Sequence, residues 1–326
     1  RVAAVKAGLP VTVPGITIHR NCTSSMSAIQ MGFYQIRAGE AECIMAGGSD
    51  SMSTAPHMGF NARYGQKYGH MEMRDSMWDS LTNLGVGPAM GITAENVADK
   101  YDITREQMDA YSLRSQQRAV AAIDAGRFEE EIIPVTVKSR KSETVYTVDE
   151  YPKRNATLEG LQKLKPAFKE GGKVTAGNAS GMNDASSGVI LMSEEKAKEL
   201  GCPIMAKVVS VATTGVEPEL MGIGPISSTK KALEKAGLTV DDIDLFEINE
   251  AFSSQCLACQ KELGVPDEKL NVNGGGISLG HPVGATGSRI VITLMYELKR
   301  RKQRYGVATL CAGGGMGTTV VIEMCE

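Results

Sequence analysis

The sequence has no large excess of charge of either sign. Its 35 Lys and Arg residues face 38 Asp and Glu residues, which leaves a net charge of −3. Proteins that bind nucleic acid or anionic membranes usually present strongly basic surfaces. On charge grounds, we therefore expect neither nucleic acid nor a membrane surface as a partner.

Long apolar runs and a regular cysteine framework are also missing. No apolar run approaches the roughly 18 residues of a membrane span, and no signal peptide opens the sequence. The seven cysteines form an odd set with irregular spacing, in a chain of 326 residues that is large enough to fold without disulfides. We expect a reduced, intracellular protein in the cytoplasm or an organelle lumen, and favour the cytoplasm.

Two stretches of the sequence repeat the same order of features. Each contains a reactive side chain among small residues, an apolar helical segment, a strand and a glycine turn. The parts of the first are Cys22, 26–37, 43–46 and 47–48, and those of the second are 281–287, 288–299, 307–310 and the turn from Gly313. The tripeptide Ala-Gly-Gly recurs at 46–48 and 312–314. This pattern indicates an internal duplication.

The strand after the glycine turn comes late in the first copy. Strand 318–322 follows at once in the second copy, whereas its best equivalent, 188–192, lies far downstream. Loops accept large insertions at modest entropic cost. We therefore predict three parts: an N-terminal half made of 1–51 and 182–204, an inserted loop domain over 52–181, and a C-terminal half over 205–326. Alternating strands and helices predict an α/β architecture.

Cys22 and His281 are the first two candidates for chemistry. Cys22 follows a strand-like segment, 15–18, and begins a helix, where the helix dipole favours a thiolate. A buried structural cysteine is the alternative. His281 lies between Gly280 and Pro282 in a loop, and loops on a rigid scaffold are where functional side chains concentrate.

Cys311 and Asn249 are further candidates, each with a structural alternative. Cys311 ends a buried strand before three glycines, at the sheet edge where α/β proteins place their chemistry, although a core cysteine also fits. Asn249 follows a strand near a helix start and could serve only as the N-cap. Cys256 and Cys259 form a single CxxC, which we assign to core packing.

Two segments suit a long ligand. Residues 176–181 are small and allow close approach of a backbone or a pantetheine arm, although a plain turn fits as well. The basic stretch from Lys153 to Lys169 suits ligand phosphates. Within the predicted insertion, Thr104 and Gln107 match a capping box and predict a helix that runs toward Ala125.

Taken together, six motifs in order resemble the thiolase family, which includes acetyl-CoA acetyltransferases and 3-ketoacyl-CoA thiolases. They are NCTSSMSAI from Asn21, MGITAENVA from Met90, GNASGMNDA from Gly177, NEAF from Asn249, GHPVGATGSR from Gly280 and CAGGGMG from Cys311. Any one of these motifs alone is weak, but six in order along the whole chain are specific.

The resemblance implies an acyltransferase that condenses two acetyl-CoA molecules reversibly or cleaves a 3-ketoacyl-CoA by thiolysis. It implies that Cys22 takes the acyl group as a thioester and that His281 is the base that activates it. Cys311 would move the α-proton. Asn249 would hold a water beside His281 in one oxyanion site, and the amides of Cys22 and Gly313 would form a second.

The resemblance also implies a ligand and an assembly. The residues matched to coenzyme A contacts are Leu81, Met90, Lys153, Ala179, Ser180, Met182 and Phe252. Acetyl-CoA, other acyl-CoA thioesters and CoA are the expected partners, with no permanently bound cofactor and no metal. The implied fold has two similar βαβαβ halves in a layered α-β-α-β-α arrangement with the inserted loop domain, in a homodimer or homotetramer.

Three departures from the family pattern bear on these expectations. Ser25 stands where relatives usually have glycine, and Ala89 stands where biosynthetic relatives often have histidine. About 65 residues that relatives place before Arg1 are absent, so we expect the first half to lack part of its core. These departures motivate a second hypothesis, a non-catalytic acyl-CoA or lipid-binding scaffold. A ketoacyl synthase is disfavoured because Asn249 stands where a second histidine is expected.

Overall fold

The computed structural model describes residues 1–325. The strands are β1 (Cys43–Asp50), β2 (His57–Gly59), β3 (Met73–Asp75), β4 (Val135–Lys138), β5 (Glu143–Tyr146), β6 (Ala185–Met192), β7 (Ala206–Gly215), β8 (Leu245–Ile248), β9 (Tyr305–Ala312) and β10 (Met316–Met324). The helices are α1 (Val2–Lys6), α2 (Ser24–Arg37), α3 (Ser76–Thr82), α4 (Met90–Lys100), α5 (Arg105–Asp124), α6 (Leu158–Gln162), α7 (Glu194–Glu199), α8 (Gly224–Ala236), α9 (Ser253–Leu263), α10 (Gly276–Leu279) and α11 (Thr286–Arg301).

A four-stranded sheet, in the order β7-β10-β9-β8, carries the second half of the chain. Strand β10 is antiparallel to β7 and β9, and β8 is parallel to β9. Most residues of β8, β9 and β10 are buried, on both faces of the sheet. This burial explains why the strands read as apolar runs rather than as alternating patterns.

Strands β1 and β6 form a separate antiparallel pair, from Cys43 opposite Met192 to Asp50 opposite Ala185. Two segments that the sequence analysis assigns to the same half, although they are far apart in the chain, therefore pair directly. The predicted turn at Gly47 and Gly48 was wrong, because β1 continues through both. A side chain on Gly47 would stand 2.2 Å from the Ser187 carbonyl oxygen, so the glycine is there to let β6 approach.

Helices α2 and α11 pack between the two sheets, and α8 covers the other face of the four-stranded sheet. The middle layer buries Met26 and Ile29 from α2 with Ile290, Leu294 and Leu298 from α11. Full burial of one such side chain stabilises the fold by about 1.5–3 kcal/mol. These layers confirm the predicted α/β architecture with helices on the sheet faces.

The segment predicted as an insertion folds around α4 and α5. Helix α5 begins at the predicted capping box, with Thr104 and Gln107 bonded reciprocally. Tyr111, on α5, belongs to the same core cluster as Phe246 and Ile248 of β8, so the segment shares a core with the second half. Short elements β2, β3 and α3 also lie in this segment, before α4. The three-part division of the chain stays a prediction.

Two local expectations near the candidate residues were also wrong. Residues 15–18 form no strand, and Ile16 is exposed, because no strand pairs with them within residues 1–325. Helix α9 begins at Ser253 with Phe252 at its N-cap position, so Asn249 does not cap it. Cys256 and Cys259 are buried on α9, as predicted. Among the helices described, none is long and apolar enough to cross a membrane.

Candidate active site

Four connections in the chain carry five of the predicted residues, and side-chain contacts join these connections in two pairs. They are the residues before α2, the loop before α11, the β8–α9 loop and the glycine turn between β9 and β10. The side chain of Asn21 donates to the Gly313 carbonyl at 2.7 Å, which joins the Cys22 loop to the glycine turn. Asn249 Nδ2 lies 3.4 Å from His281 Nδ1 and 3.5 Å from Nε2, which joins the other two loops.

Hydrogen bonds select the tautomer of His281. Thr286 Oγ1 has a single hydrogen and donates it to the Pro282 carbonyl at 2.8 Å. The same oxygen lies 2.7 Å from His281 Nδ1, so it accepts the Nδ1 proton. The other ring nitrogen, Nε2, is therefore left as the acceptor, which is the arrangement a general base needs.

Burial keeps the His281 ring neutral. The side chain is almost completely buried, and this burial lowers its pKa from 6.5 to about 4, with a further contribution from the positive charge of Arg289. The ring is therefore uncharged near pH 7 and can accept a proton at Nε2. Asn249 Oδ1, next to it, is buried without a hydrogen-bond partner among residues 1–325, so Asn249 retains an acceptor that can bind a water.

Cys22 lies two residues before α2 and is half-buried. Burial raises the pKa of its thiol to about 11, although backbone hydrogen bonds from Gly313 and from Cys22 itself oppose the rise. The negative charge of Asp50 adds to it. The expected effect of the helix dipole on the thiolate is thus outweighed by desolvation, and Cys22 needs a base to take its proton.

Cys311 is fully buried in β9, opposite Gly317 of β10. Burial raises its pKa well above the usual value, and the neighbouring Cys22 raises it further. Cys311 rests as the protonated thiol, a form that can donate a proton.

An apolar wall stands beside the thiols. A side chain on Gly313 would come within 3.2 Å of Met90 Sδ, so Met90 packs against the glycine turn. Met90 and Phe252 are buried in one cluster with Cys311, and Leu81 and Ala179 pack against that cluster.

The loop that carries Ala179 and Ser180 is tied to the NEAF segment. Ala179 pairs with Phe252 in an isolated antiparallel bridge, and the Ser180 amide donates to the Ala251 carbonyl at 3.0 Å. The predicted coenzyme A contacts Leu81, Met90, Ala179, Ser180 and Phe252 thus lie together next to Cys311.

Lys153 and Met182 lie further out. Met182 is exposed, and its neighbour Gly181 accepts a hydrogen bond from the His281 amide at 3.2 Å. The Lys153 ammonium lies over the Tyr151 ring, 5.5 Å from its centroid. That ring abuts Gly181, since a side chain there would stand 2.1 Å from the Tyr151 hydroxyl. Lys153 therefore stands at the rim, separated from His281 by Tyr151 and Gly181.

Sequence reasoning missed three residues of this site. Thr286 lies inside the GHPVGATGSR motif, but only its contact with His281 shows that it selects the tautomer. Asn21 holds the Gly313 peptide across 292 residues of sequence. Phe168 packs edge-to-face on Phe252, with ring centroids 6.3 Å apart. It lies in the basic stretch from Lys153 to Lys169, which the sequence analysis assigned to ligand phosphates because of its lysines. An aromatic residue among those lysines was the one available signal.

Comparison with known proteins gives the family of this chain. The family described as "Thiolase, N-terminal domain" matches residues 1–195, and "Thiolase, C-terminal domain" matches residues 202–324. The chain belongs to the thiolase family. It is 51% identical to the acetyl-CoA acetyltransferase of Syntrophomonas wolfei over 328 aligned positions, which cover 99% of this chain and 83% of that relative. It is 49% identical to the Pseudomonas aeruginosa acetyl-CoA acetyltransferase, covering 99% and 82%.

Solved structures give the same family and show the fold. The acetyl-CoA acetyltransferase of Bacillus anthracis matches with a TM-score of 0.97 and 48% identity, over 100% of this chain and 82% of that one. Human mitochondrial 3-ketoacyl-CoA thiolase in complex with CoA matches with a TM-score of 0.96 and 45% identity, over 99% and 81%. The chain thus has the thiolase fold that the sequence motifs implied.

Proposed function

We propose that this chain catalyses the reversible Claisen condensation of two acetyl-CoA molecules to acetoacetyl-CoA and CoA, through an acyl thioester on Cys22. Thiolysis of longer 3-ketoacyl-CoA substrates is the other form of the same reaction. The proposal is supported by a neutral, oriented His281 next to Asn249 and by two thiols, Cys22 and Cys311, that lie close enough for Cys22 to raise the pKa of Cys311. The relatives named acetyl-CoA acetyltransferase favour the short substrate, and no comparison supports a non-catalytic scaffold.

In the acylation step, His281 Nε2 accepts the proton of Cys22 as the sulfur attacks the acetyl carbonyl of acetyl-CoA. A C–S bond forms to Cys22, and the bond to the CoA sulfur breaks. The CoA sulfur leaves with the proton that His281 accepted. A neutral imidazole is essential here because the pKa of Cys22, about 11, leaves very little thiolate near pH 7.

Cys311 handles the proton on carbon. In thiolysis, Cys22 attacks the 3-keto carbon, the bond between C2 and C3 breaks, and the departing acetyl-CoA enolate takes the proton of Cys311. CoA then loses its thiol proton to Cys311 and attacks acyl-Cys22, whose sulfur leaves and takes back the proton that His281 accepted in the first attack, which restores the resting site. The raised pKa of Cys311 supports this role, since it keeps the proton on sulfur until an enolate forms.

Charge that develops on the thioester oxygens needs hydrogen-bond donors. We propose the amides of Cys22 and Gly313 for one oxygen, and His281 with a water on Asn249 for the other. Backbone hydrogen bonds from Cys22 and Gly313 already lower the pKa of the Cys22 thiol, which supports a site arranged for negative charge. The hydrogen bond from Asn21 to the Gly313 carbonyl fixes the next peptide unit of the same turn.

Coenzyme A thioesters are the proposed substrates, and no permanently bound cofactor is proposed. The pantetheine arm would lie along Met90, Phe168, Ala179, Ser180 and Phe252, with Lys153 at the rim near the phosphates. Apolar and small side chains suit the arm, and a rim lysine suits the charged end. A homodimer or homotetramer and a cytoplasmic location stay predictions.

Chain-length preference tests the proposal. We expect kcat/KM for thiolysis of acetoacetyl-CoA to exceed that for a 3-ketoacyl-CoA with four more carbons by roughly tenfold or more, because a site fitted to a short acyl group penalises each added methylene. The Cys22→Ser variant should cleave neither substrate. Equal rates for both substrates would favour a broad thiolase, and absence of any cleavage by the unmodified chain would contradict the proposed function.

A further inference from the structure

The loop that carries His281 is bound by a carboxylate from the other half of the molecule. The Gly284 amide donates to Asp50 Oδ2 at 2.8 Å, across 234 residues of sequence. Asp50 is the last residue of β1, and Gly284 lies three residues after His281. A hydrogen bond to a carboxylate is shorter and stronger than one to a neutral oxygen. Asp50 is therefore suited to fix the position of this loop.

Packing around this hydrogen bond leaves the loop little freedom. A side chain on Gly48 would stand 1.8 Å from the Gly284 carbonyl oxygen, so the end of β1 lies directly against the loop. Ser187, on β6, donates to the Ala285 carbonyl at 2.7 Å. Ser25, on α2, accepts from the Ser288 amide at 3.0 Å. The His281 loop is thus held by three elements of the first half, α2, β1 and β6.

The same kind of tie occurs on the Cys22 side, with the two halves exchanged. There, the side chain of Asn21 in the first half donates to the Gly313 carbonyl in the glycine turn of the second half. On the His281 side, a residue at the end of the first half's glycine-containing strand accepts from the loop of the second half. Each reactive loop is therefore joined to the glycine segment of the opposite half.

We infer that Asp50 is a positioning residue, which holds the His281 loop in register with Cys22 and so sets the geometry of proton transfer between them. The inference rests on the proposed roles of Cys22 and His281. A hydrogen bond that fixes a loop carrying a base acts on the rate, because small displacements of a catalytic group reduce the rate steeply. Asp50 itself contacts neither the reacting atoms nor the proposed coenzyme A wall.

The charge of Asp50 provides a readout that simple loss of structure would not move. Its negative charge contributes to the raised pKa of Cys22, after burial. Arg289 acts on His281, whose pKa its charge lowers, and Cys311 adjoins Cys22, since burial and then Cys22 raise the pKa of Cys311. Asp184, beside the partner strand β6, binds the Ser53 amide at 2.9 Å instead of the loop and is a matched control.

The test compares Asp50→Ala, Asp50→Asn and Asp184→Asn in acetoacetyl-CoA thiolysis and in alkylation of Cys22 by iodoacetamide. Asp50→Ala should lower kcat roughly 10- to 100-fold while leaving KM nearly unchanged. Asp50→Asn keeps an oxygen acceptor for Gly284, so it should restore most of kcat. Both Asp50 variants should alkylate Cys22 faster at about pH 8, because loss of the negative charge lowers the pKa of the thiol. Asp184→Asn should match the unmodified chain in both assays.

Wild-type kcat in Asp50→Ala would overturn the inference while leaving the proposed function intact. If Asp50→Ala does not fold, Asp50→Asn decides: wild-type alkylation of Cys22 in that variant would overturn the inference. Acetylation of Cys22 by acetyl-CoA in the unmodified chain is measured in parallel. Its absence would overturn both the proposed function and the inference, which separates the two failures.

Discussion

At the residue scale, two short contacts of Thr286 decide which nitrogen of His281 can act as a base. Thr286 gives its hydrogen to Pro282 and accepts one from Nδ1, which leaves Nε2 unprotonated. Burial then keeps the ring neutral. Orientation and charge state therefore come from separate features, a hydroxyl at the start of α11 and the desolvation of the loop.

The lowered pKa of His281 predicts an unusual acid limb. Because the ring stays neutral until the pH falls to about 4, kcat/KM for acetoacetyl-CoA should hold its plateau through pH 6.5, the usual pKa of an exposed histidine. The measurement is the pH profile of kcat/KM, with far-UV circular dichroism at each pH as the control for unfolding. An acid limb at or above pH 6.5 in folded protein would contradict it.

Much of the candidate site follows from residue types in sequence motifs, but its contacts do not. The motifs identify Cys22, His281, Cys311 and Asn249 as candidates without any structure. The tie of Asn21 to Gly313 joins positions 292 residues apart, and no local pattern encodes that pairing. Desolvation of the two thiols was not predictable from the sequence either, because it depends on how completely each sulfur is buried after folding.

At the element scale, α11 meets the inserted segment at a buried carboxyl group. Burial raises the pKa of Glu131 to about 7, opposed by the charge of Arg289 and by the hydrogen bond from Thr293 at 3.1 Å. Its second oxygen is buried without a partner within the described residues. The folded state therefore prefers the protonated carboxyl, whereas the unfolded chain releases the proton near pH 4.5.

We predict that this interface weakens as the pH rises. A carboxyl group whose pKa is raised on folding binds more protons in the folded state, so stability falls between about pH 4.5 and pH 7. Glu131→Gln should remove this loss and raise the free energy of unfolding at pH 8 by about 1–3 kcal/mol, with no gain at pH 4. Denaturant unfolding at both pH values measures it.

The neighbouring residue supplies the control for this prediction. Glu130 is exposed, and its carboxylate pairs with the ammonium of Lys299 on α11 at 2.8 Å. Exposed ion pairs contribute little, so Glu130→Gln should change the free energy of unfolding by less than about 1 kcal/mol at either pH. Equal effects of the Glu130 and Glu131 variants would show that burial at Glu131 has no special influence.

Elements with strong local signals were predictable, and those set by close packing were not. Helix α5 was predictable because its capping box, Thr104 with Gln107, is a local sequence signal. The predicted strand ended at residue 46, before the true end of β1, because two consecutive glycines usually indicate a turn. Its continuation depends on β6, some distance along the chain, lying close enough to require glycine.

At the scale of the whole molecule, the candidate residues are divided between the two matched family domains, 1–195 and 202–324. Cys22 and Asp50 come from the first half, while His281, Asn249 and Cys311 come from the second. Helices α2 and α11, which follow the reactive loops, pack against each other between the sheets. A central helix thus follows each of the loops that carry Cys22 and His281, as the inferred duplication predicts.

Direct detection of the acyl-enzyme tests the central claim, that Cys22 carries the acyl group. The chain is incubated with acetyl-CoA, quenched in acid and digested, and the mass of the Cys22 peptide is measured by mass spectrometry. We predict a gain of about 42 Da, one acetyl group replacing a hydrogen. Cys311→Ser should still show it, because acylation needs no α-proton transfer, and Cys22→Ser should not. An unmodified Cys22 peptide, or an acetyl group found on Cys311 instead, would contradict the assigned roles.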